Sequence, residues 1–326
     1  MFFNNTFNRL AIAASFIFIS LSVISEPILE EVVVSARKVD ENLQDVPIAM
    51  SVFTSSDIED AGIQRPEDFI ALTPNVVMAN TVNVGDTLVT IRGLTSTRDA
   101  ESNFAFVVDG VLQTNPNAFN RELLDIAQIE VLKGPQGALY GRNATSGAIL
   151  ITTKAPSEES ESTAVVGLGV NDSTKLQFVN SGKMGENIYT RFSVSTRDTD
   201  GEHTNIYSGT NNVDFFEDTT IRTRFLVDNG DNSWDLRAGI SEASGGTINF
   251  NAVFALPAFQ GFGTPGAEQF YKDVNTHQFT YMFNVPPVNE QETLDISLKY
   301  TEDMGDGREF SAILAYNHLE EFLISD

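Results

Sequence analysis

The stretch "SWDLRAGIS", residues 233–241, alternates without a break: Trp234, Leu236, Ala238 and Ile240 fall on one side, Asp235, Arg237 and Ser241 on the other. Successive side chains of a β-strand point to opposite faces. A period of two that separates apolar from polar therefore predicts a strand whose faces meet different surroundings. "NIYTRFSVSTR" (187–197) repeats the rhythm, with Ile188, Phe192 and Val194 opposite Tyr189, Arg191, Ser193 and Arg197. "TLDISLKY" (293–300) sets Leu294, Ile296, Leu298 and Tyr300 against Asp295, Ser297 and Lys299. With "STAVVGLGV" (162–170), "STKLQFVNS" (173–181), "TTIRTRFLV" (219–227) and "EFSAILAY" (309–316), seven strands are predicted beyond the acidic stretch "SEESES" (157–162).

The connections between them alternate in length. "SGKMGEN" (181–187), "DNGDNS" (228–233) and "EDMGDGR" (302–308) are tight, whereas residues 198–218 and roughly Ala243 to Glu292 are long; the first connection, "NDST" (171–174), is short. Antiparallel strands deliver alternate loops to opposite ends, so one end carries turns and the other excursions, as in an outer-membrane barrel. The competing arrangement is a soluble sandwich, in which the apolar face packs on a second sheet.

Composition removes other classes. The 326 residues include no cysteine, which excludes disulfide scaffolds, zinc–thiolate sites and cysteine nucleophiles. His203, His277 and His318 are too few and too scattered for a metal centre or a histidine-based catalytic constellation, so neither catalytic residues nor a cofactor are expected. Twenty basic against 45 acidic residues give a net charge of −25, the wrong sign for a nucleic-acid binder. Residues 1–25 carry Arg9 and then the apolar "LAIAASFIFISLSVIS", which reads as a secretory signal peptide ending near Ser25. The alternative, a membrane anchor, is disfavoured because the run is short of the ~20 residues a spanning helix needs.

Residues 41–156 read as a compact α+β domain. "DVPIAMSVF" (45–53), "LVTIRG" (88–93), "FAFVVDGV" (104–111) and "SGAILITTK" (146–154) are strand-like, with Asp109-Gly110 a tight-turn signal. "SSDIEDAG" (55–62), capped by Ser55 or Ser56, and "RPEDFIAL" (65–72), with Pro66 in its first turn, read as short helices. "RELLDIAQIEVLKGP" (121–135) reads as a helical turn followed by a strand. Gly134, Gly137, Gly141 and Gly147 lack the Gly-Lys-Ser/Thr ending of a phosphate loop and lead into a strand, so they are read as turn glycines.

These segments carry a family resemblance. "IEVLKGPQGALYGRNATSGAILITTKAP" (129–156) resembles the end of the plug domain of TonB-dependent outer-membrane receptors. "LQDVPIAMSVFTSSDIEDAGIQRPEDFIALTPNV" (43–76) resembles its beginning, and "TIRG" (90–93) and "FVVDGV" (106–111) its middle. The resemblance implies a plug (41–156) followed by the N-terminal part of a transmembrane β-barrel (157–326). It implies a protein of the Gram-negative outer membrane with its N-terminus periplasmic and its long loops extracellular. Family barrels have about 22 strands. Seven strands are an odd and incomplete count, and open edges in lipid are costly, so the expectation is the N-terminal fragment of a longer receptor, one that forms no transporting pore as it stands.

"EEVVVSARK" (30–38) looks like the family's TonB box, with Glu31, Val32, Val33, Val34, Ser35 and Ala36 as the candidate contacts. Such a segment pairs with a strand of the periplasmic protein TonB by β-augmentation, in which backbone hydrogen bonds supply much of the affinity. "RKVDENLQD" (37–45) reads as a flexible tether; the alternative is that the box is simply the plug's first strand. The implied function is TonB-dependent import of a scarce ligand, by default a ferric siderophore, with vitamin, haem or glycan as other classes. Arg98, Gln113, Asn115 and Phe119, in the predicted apex loops, are candidate ligand contacts, and nine aromatics from Phe250 to Phe283 crowd the long loop. The rivals are a plug-like binding or signalling module and, further off, a secreted β-sandwich enzyme.

Overall fold

The computed structural model describes residues 32–36, 38–39, 41–80, 85, 87–97, 100–205, 208–210, 213–246, 280–281 and 288–324. The expected signal peptide, Glu31, Arg98, His277 and, apart from the backbone of Tyr281, the loop aromatics lie outside the described residues.

The N-terminal half begins with two short strands, β1 (Val33–Val34) and β2 (Glu41–Asn42), and a 3-10 turn at Leu43–Asp45. There follow β3 (Met50–Thr54), α1 (Ser55–Asp60), α2 (Pro66–Ala71), β4 (Val76–Asn80), β5 (Thr87–Ile91) and β6 (Leu94–Thr95). β7 (Phe104–Val108), β8 (Val111–Gln113), a 3-10 turn at Pro116–Ala118, β9 (Ile126–Lys133), α3 (Gly137–Tyr140) and β10 (Gly147–Thr153) complete it. The main sheet runs β3-β9-β10-β7-β8, with β10 parallel to β7 and the other pairs antiparallel; β4-β5-β6 form a separate three-stranded sheet.

Local chemistry explains the element ends. α1 is capped by Thr54, one residue before the expected serines: its hydroxyl accepts from Asp57 N while the Asp57 carboxylate accepts from Thr54 N at 2.9 Å, a reciprocal capping box. Pro66 opens α2 as expected. Asp109 (φ 50°) and Gly110 (φ 84°) make the two-residue turn joining β7 to β8. Gly147 starts β10 where a Cβ would lie 2.2 Å from the carbonyl oxygen of Leu132 on β9, so only glycine lets the strands meet there. "RELLD" (121–125) forms no helical turn; it is irregular, with Asp125 at φ 57° just before β9, and its polar groups are taken by the second sheet.

The core of this half is aromatic and β-branched. Phe119 is 1% exposed, with its ring centroid 5.1 Å from those of both Phe104 and Phe106 and 6.4 Å from Phe69, all at steep angles. Ile91, Val89, Ile129, Val131 and Ile149 close around it.

The C-terminal half is one seven-stranded antiparallel sheet: β11 (Glu161–Leu168), β12 (Thr174–Lys183), β13 (Ile188–Thr199), β15 (Phe216–Asp228), β16 (Asn232–Gly245), β18 (Val288–Asp303) and β19 (Glu309–Ile324), paired in that order. The two remaining short strands, β14 (Thr204–Asn205) and β17 (Thr280–Tyr281), pair with each other between the long connections. The seven are the predicted seven, with β16 and β18 extending a few residues further into the long loop than expected. β11 and β19 are not paired to each other, so the barrel is not closed over the described residues.

Its faces are the inverse of those of a water-soluble sheet. Leu176, Phe178, Phe192, Phe225, Trp234, Leu236, Ile240 and Ile296 are exposed. Ser181, Arg191, Ser193, Ser195, Thr220, Asp235, Gln291 and Thr293 are buried. A sandwich would bury the apolar face; here the polar face is covered, by the N-terminal domain, and the apolar face is left exposed. The competing sandwich arrangement does not fit these faces. Trp234, Tyr300 and Phe310, neighbours across three strands at the tight-turn end, form a cluster of aromatic rings. No helix among the described residues is long and apolar enough to cross a membrane.

Phe119→Ala is expected to destabilise the N-terminal domain by about 3–5 kcal/mol through cavity formation. The urea midpoint of the chain in detergent micelles reads it; an unchanged midpoint would return Phe119 to the surface.

Candidate functional site

Two places bring functional chemistry together: the docked N-terminal segment and the seam between the domain and the sheet.

Residues 33–34 are too few to fold alone, yet they are well held. Val33 and Val34 pair antiparallel with Asn42 and Glu41, and Leu43 N donates to Val32 O at 2.9 Å. Val34 (1% exposed) and Ala36 (0%) are packed inward. The buried Glu130 of β9 accepts from both Ser35 N and Ser35 Oγ at 3.1 Å. Gln128 Nε2 donates to Val33 O at 3.0 Å, and the Tyr140 hydroxyl donates to Ala36 O at 2.8 Å. Burial, then the Glu130 charge, raises the Tyr140 pKa above its ordinary value, so the phenol keeps the proton it donates. The segment expected to be tether is ordered at its far end, where Glu41–Asn42 is a strand and Leu43–Asp45 a turn.

The seam is built on arginine. Arg191, Arg224 and Arg237 stand directly opposite one another on β13, β15 and β16. Like charges so placed repel. Each is offset by acceptors from both sides. Arg191 grips Asp125 of the plug-like domain through Nε at 2.5 Å and Nη2 at 2.7 Å, with Ser193 Oγ adding a bond at 2.7 Å and Glu161 taking Nη1 at 2.6 Å. Arg224 binds Asp235 and the carbonyls of Thr153 and Lys154; Arg237 binds Asp235 and the carbonyl of Asp109. Higher up, buried Glu122 pairs with Lys175 at 2.9 Å, Arg121 with Asp295 at 2.6 Å, and Gln291 donates to Asn117 O at 3.2 Å. The acceptors sit at strand ends and in 120–125, where carbonyls are not used by the domain's own sheet.

Of the four expected ligand contacts, Asn115 alone is at the surface among the described residues, where its Oδ1 caps the Pro116 turn by accepting from Asn117 N at 3.0 Å. Gln113 is buried, held by Arg121 and Val111 O. Phe119 is core, a correction to its assignment as a contact: an aromatic in a polar loop turned inward to join three other rings. Arg98 lies outside the described residues. Glu130, Gln128, Tyr140 and the arginine row went unread in the sequence. The arginines carried a signal, since each falls on the polar face of an alternating strand. The Glu130 contact carried none, because it joins residues 95 apart. No group of three or more metal-ligating side chains occurs among the described residues.

A family profile described as "TonB-dependent Receptor Plug Domain" matches residues 42–148. The chain is 25% identical over 191 residues to the pesticin receptor of Yersinia enterocolitica, covering 58% of this chain and 28% of the receptor. It is 28% identical over 182 residues to the vitamin B12 transporter BtuB of Vibrio vulnificus, covering 54% of this chain and 29% of the transporter. The chain thus spans under a third of the length of these relatives. Among solved structures, the ferric yersiniabactin uptake receptor FyuA of Yersinia pestis superposes with a TM-score of 0.70 at 19% identity, over 84% of this chain and 41% of that one. The ferripyoverdine receptor of Pseudomonas aeruginosa gives 0.71 at 16% identity, over 88% and 36%. At these identities the likeness is one of fold.

Two outcomes check this geometry. The chain has no cysteine, so Val34→Cys supplies a single thiol; it should react slowly with maleimide, and several-fold faster when combined with Glu130→Gln or Tyr140→Phe. Equal rates in all backgrounds would mean that these groups do not hold the segment. Asp125→Asn, which leaves Arg191 without its bidentate partner, should cost about 3 kcal/mol in the urea midpoint, part of which Arg191→Met restores.

Proposed function

From the premise that this chain carries a TonB-dependent receptor plug ahead of barrel strands of the same receptors, we propose that it serves the energised import of a scarce small ligand across the outer membrane. The observation that carries the reading is the inverted sheet: an apolar face exposed, and a polar face clasping a separate folded domain. A wall with lipid outside and a plug inside is what a gated pore requires, and a soluble binding module has no use for it.

The ligand class is a ferric chelate in the first instance. Structures of similar fold include receptors whose names specify ferric yersiniabactin and ferripyoverdine. Cobalamin is the alternative, since a relative by sequence is a vitamin B12 transporter. The apex of the plug, including Asn115, faces the long-loop end in this reading, and the N-terminal segment lies on the periplasmic side.

Val32–Ala36, with Glu31 before them, act as the TonB box. The segment is a short extended strand with a polar tail, and backbone pairing alone can recruit a partner strand to it. In the docked state its carbonyls and amides are engaged by Asn42, Leu43, Gln128, Glu130 and Tyr140, so pairing with TonB requires it to leave the plug. Ligand binding at the far end and traction at this one then act on the same sheet, because Glu130 and Gln128 belong to β9, which begins one residue after Asp125 at the wall.

Deleting residues 31–36 from the complete receptor should abolish cellular uptake of radiolabelled ferric siderophore while surface binding at 4 °C persists. Loss of binding as well as uptake would count against an energy-coupling role. Parallel uptake of labelled cobalamin decides between the two ligand classes.

A further inference from the structure

Between the plug and the wall lies a cavity of about 90 Å³, lined by Arg121, Arg191, Arg222, Arg224 and Arg237 among others. That is several times the ~10–15 Å³ that one water needs by the same measure, enough for a tetrahedral oxyanion and a solvating water. Four of the five guanidiniums have carboxylate partners: Arg121 has Asp295, Arg191 has Asp125, and Arg224 and Arg237 share Asp235. The lining acids are already engaged. Asp125 is gripped bidentately and by Ser193. Asp109 accepts from Thr153 N and Oγ1. Asp295 accepts from Arg121 and Asn317.

Arg222 is different. Its one hydrogen bond among the described residues runs from Nη1 to the carbonyl of Leu124 at 2.7 Å, and it forms no ion pair among them. A guanidinium has five N–H donors in a planar fork. Arg222 lines the cavity, and the aspartates whose charges reach it, Asp109, Asp125 and Asp295, are each already bonded to other donors; a guanidinium with no carboxylate of its own is costly to bury. Directly across β13 and β16 its neighbours are Ser193 and Gly239, which offer no charge to offset it. Arg121 lines the same cavity from the plug side, so cationic donors converge from both walls.

We propose that Arg222, with Arg121 opposite, binds a small oxyanion, a phosphate or a carboxylate group, in the cavity between plug and wall. A bidentate fork matches the two oxygens of either group, which water cannot reproduce. An anion there bridges plug to wall beside acids that are already bonded to other donors. The site is independent of the import reading: it stands on the cavity and its charges, and its test does not involve uptake.

The test is titration of the chain in detergent micelles with inorganic phosphate, and separately with acetate, each against chloride at equal ionic strength, read by calorimetry and melting temperature. Saturable binding above the chloride baseline is expected, weakened at least tenfold in Arg222→Gln. Arg222→Lys, which keeps the charge and loses the fork, should melt like the parent in chloride yet bind several-fold more weakly, which separates loss of the site from loss of the fold. Binding of phosphate points to a free anion as occupant. Binding of acetate but not phosphate points to a carboxylate borne by a larger ligand in passage. No binding above chloride, or equal binding by parent, Arg222→Gln and Arg222→Lys, overturns the proposal and leaves a water-filled gap.

Discussion

Three arginines directly opposite one another on neighbouring strands cannot share a buried face unless something takes up their charge, and in this protein a second domain does so. Arg191, Arg224 and Arg237 would repel across β13, β15 and β16 if the sheet stood alone. Asp235 and Glu161 answer part of that charge from within the sheet; Asp125 and the carbonyls of Asp109, Thr153 and Lys154 answer the rest from the plug. The wall is therefore electrostatically complete only with the plug in place. The plug in turn finds on the wall the donors for carbonyls its own sheet does not use. Because the acceptors are strand ends, whose positions are fixed by the plug's core, the clasp also sets the register of one domain against the other.

The N-terminal segment is held on a different scale. It makes a few neutral or singly charged hydrogen bonds, each worth on the order of 1 kcal/mol net in water, and buries two small side chains. A partner strand offering a comparable set of backbone bonds competes with that, whereas the bidentate, desolvated Arg191–Asp125 pair is far harder to open. Releasing Ser35 and Ala36 thus opens a weak contact, whereas separating the domains opens a strong one. The two lie along one strand, since β9 carries Glu130 and Gln128 and starts beside Asp125.

The seven-stranded sheet shows how much a simple rhythm can specify. Alternation in "SWDLRAGIS", "NIYTRFSVSTR" and "TLDISLKY" was enough to place the strands and to divide their faces, because a strand has only two sides and each side here meets one kind of surroundings. Loop lengths gave the two ends. The turn at Asp109-Gly110 and the opening of α2 at Pro66 were equally legible, each resting on the φ angles a single residue type allows. The cap of α1 lies at Thr54, where hydroxyl and Asp57 carboxylate bond each other's backbone amides.

What the sequence did not show was which groups meet. "RELLD" has good helix formers, yet Arg121, Glu122 and Asp125 each find a partner on the wall, and those long-range bonds outweigh a local preference worth tenths of a kcal/mol per residue. Phe119, in a loop of Asn and Pro, read as a surface aromatic until three other rings drew it inward. The succession of the seven wall strands, their faces and the tight turns belong to the sequence by itself, because they follow from backbone geometry and neighbours a few residues away. The docking of the N-terminal segment on Glu130, the arginine clasp and the seating of Arg222 on the Leu124 carbonyl belong to the tertiary structure, because each depends on the distance between residues tens of positions apart, which no local pattern encodes.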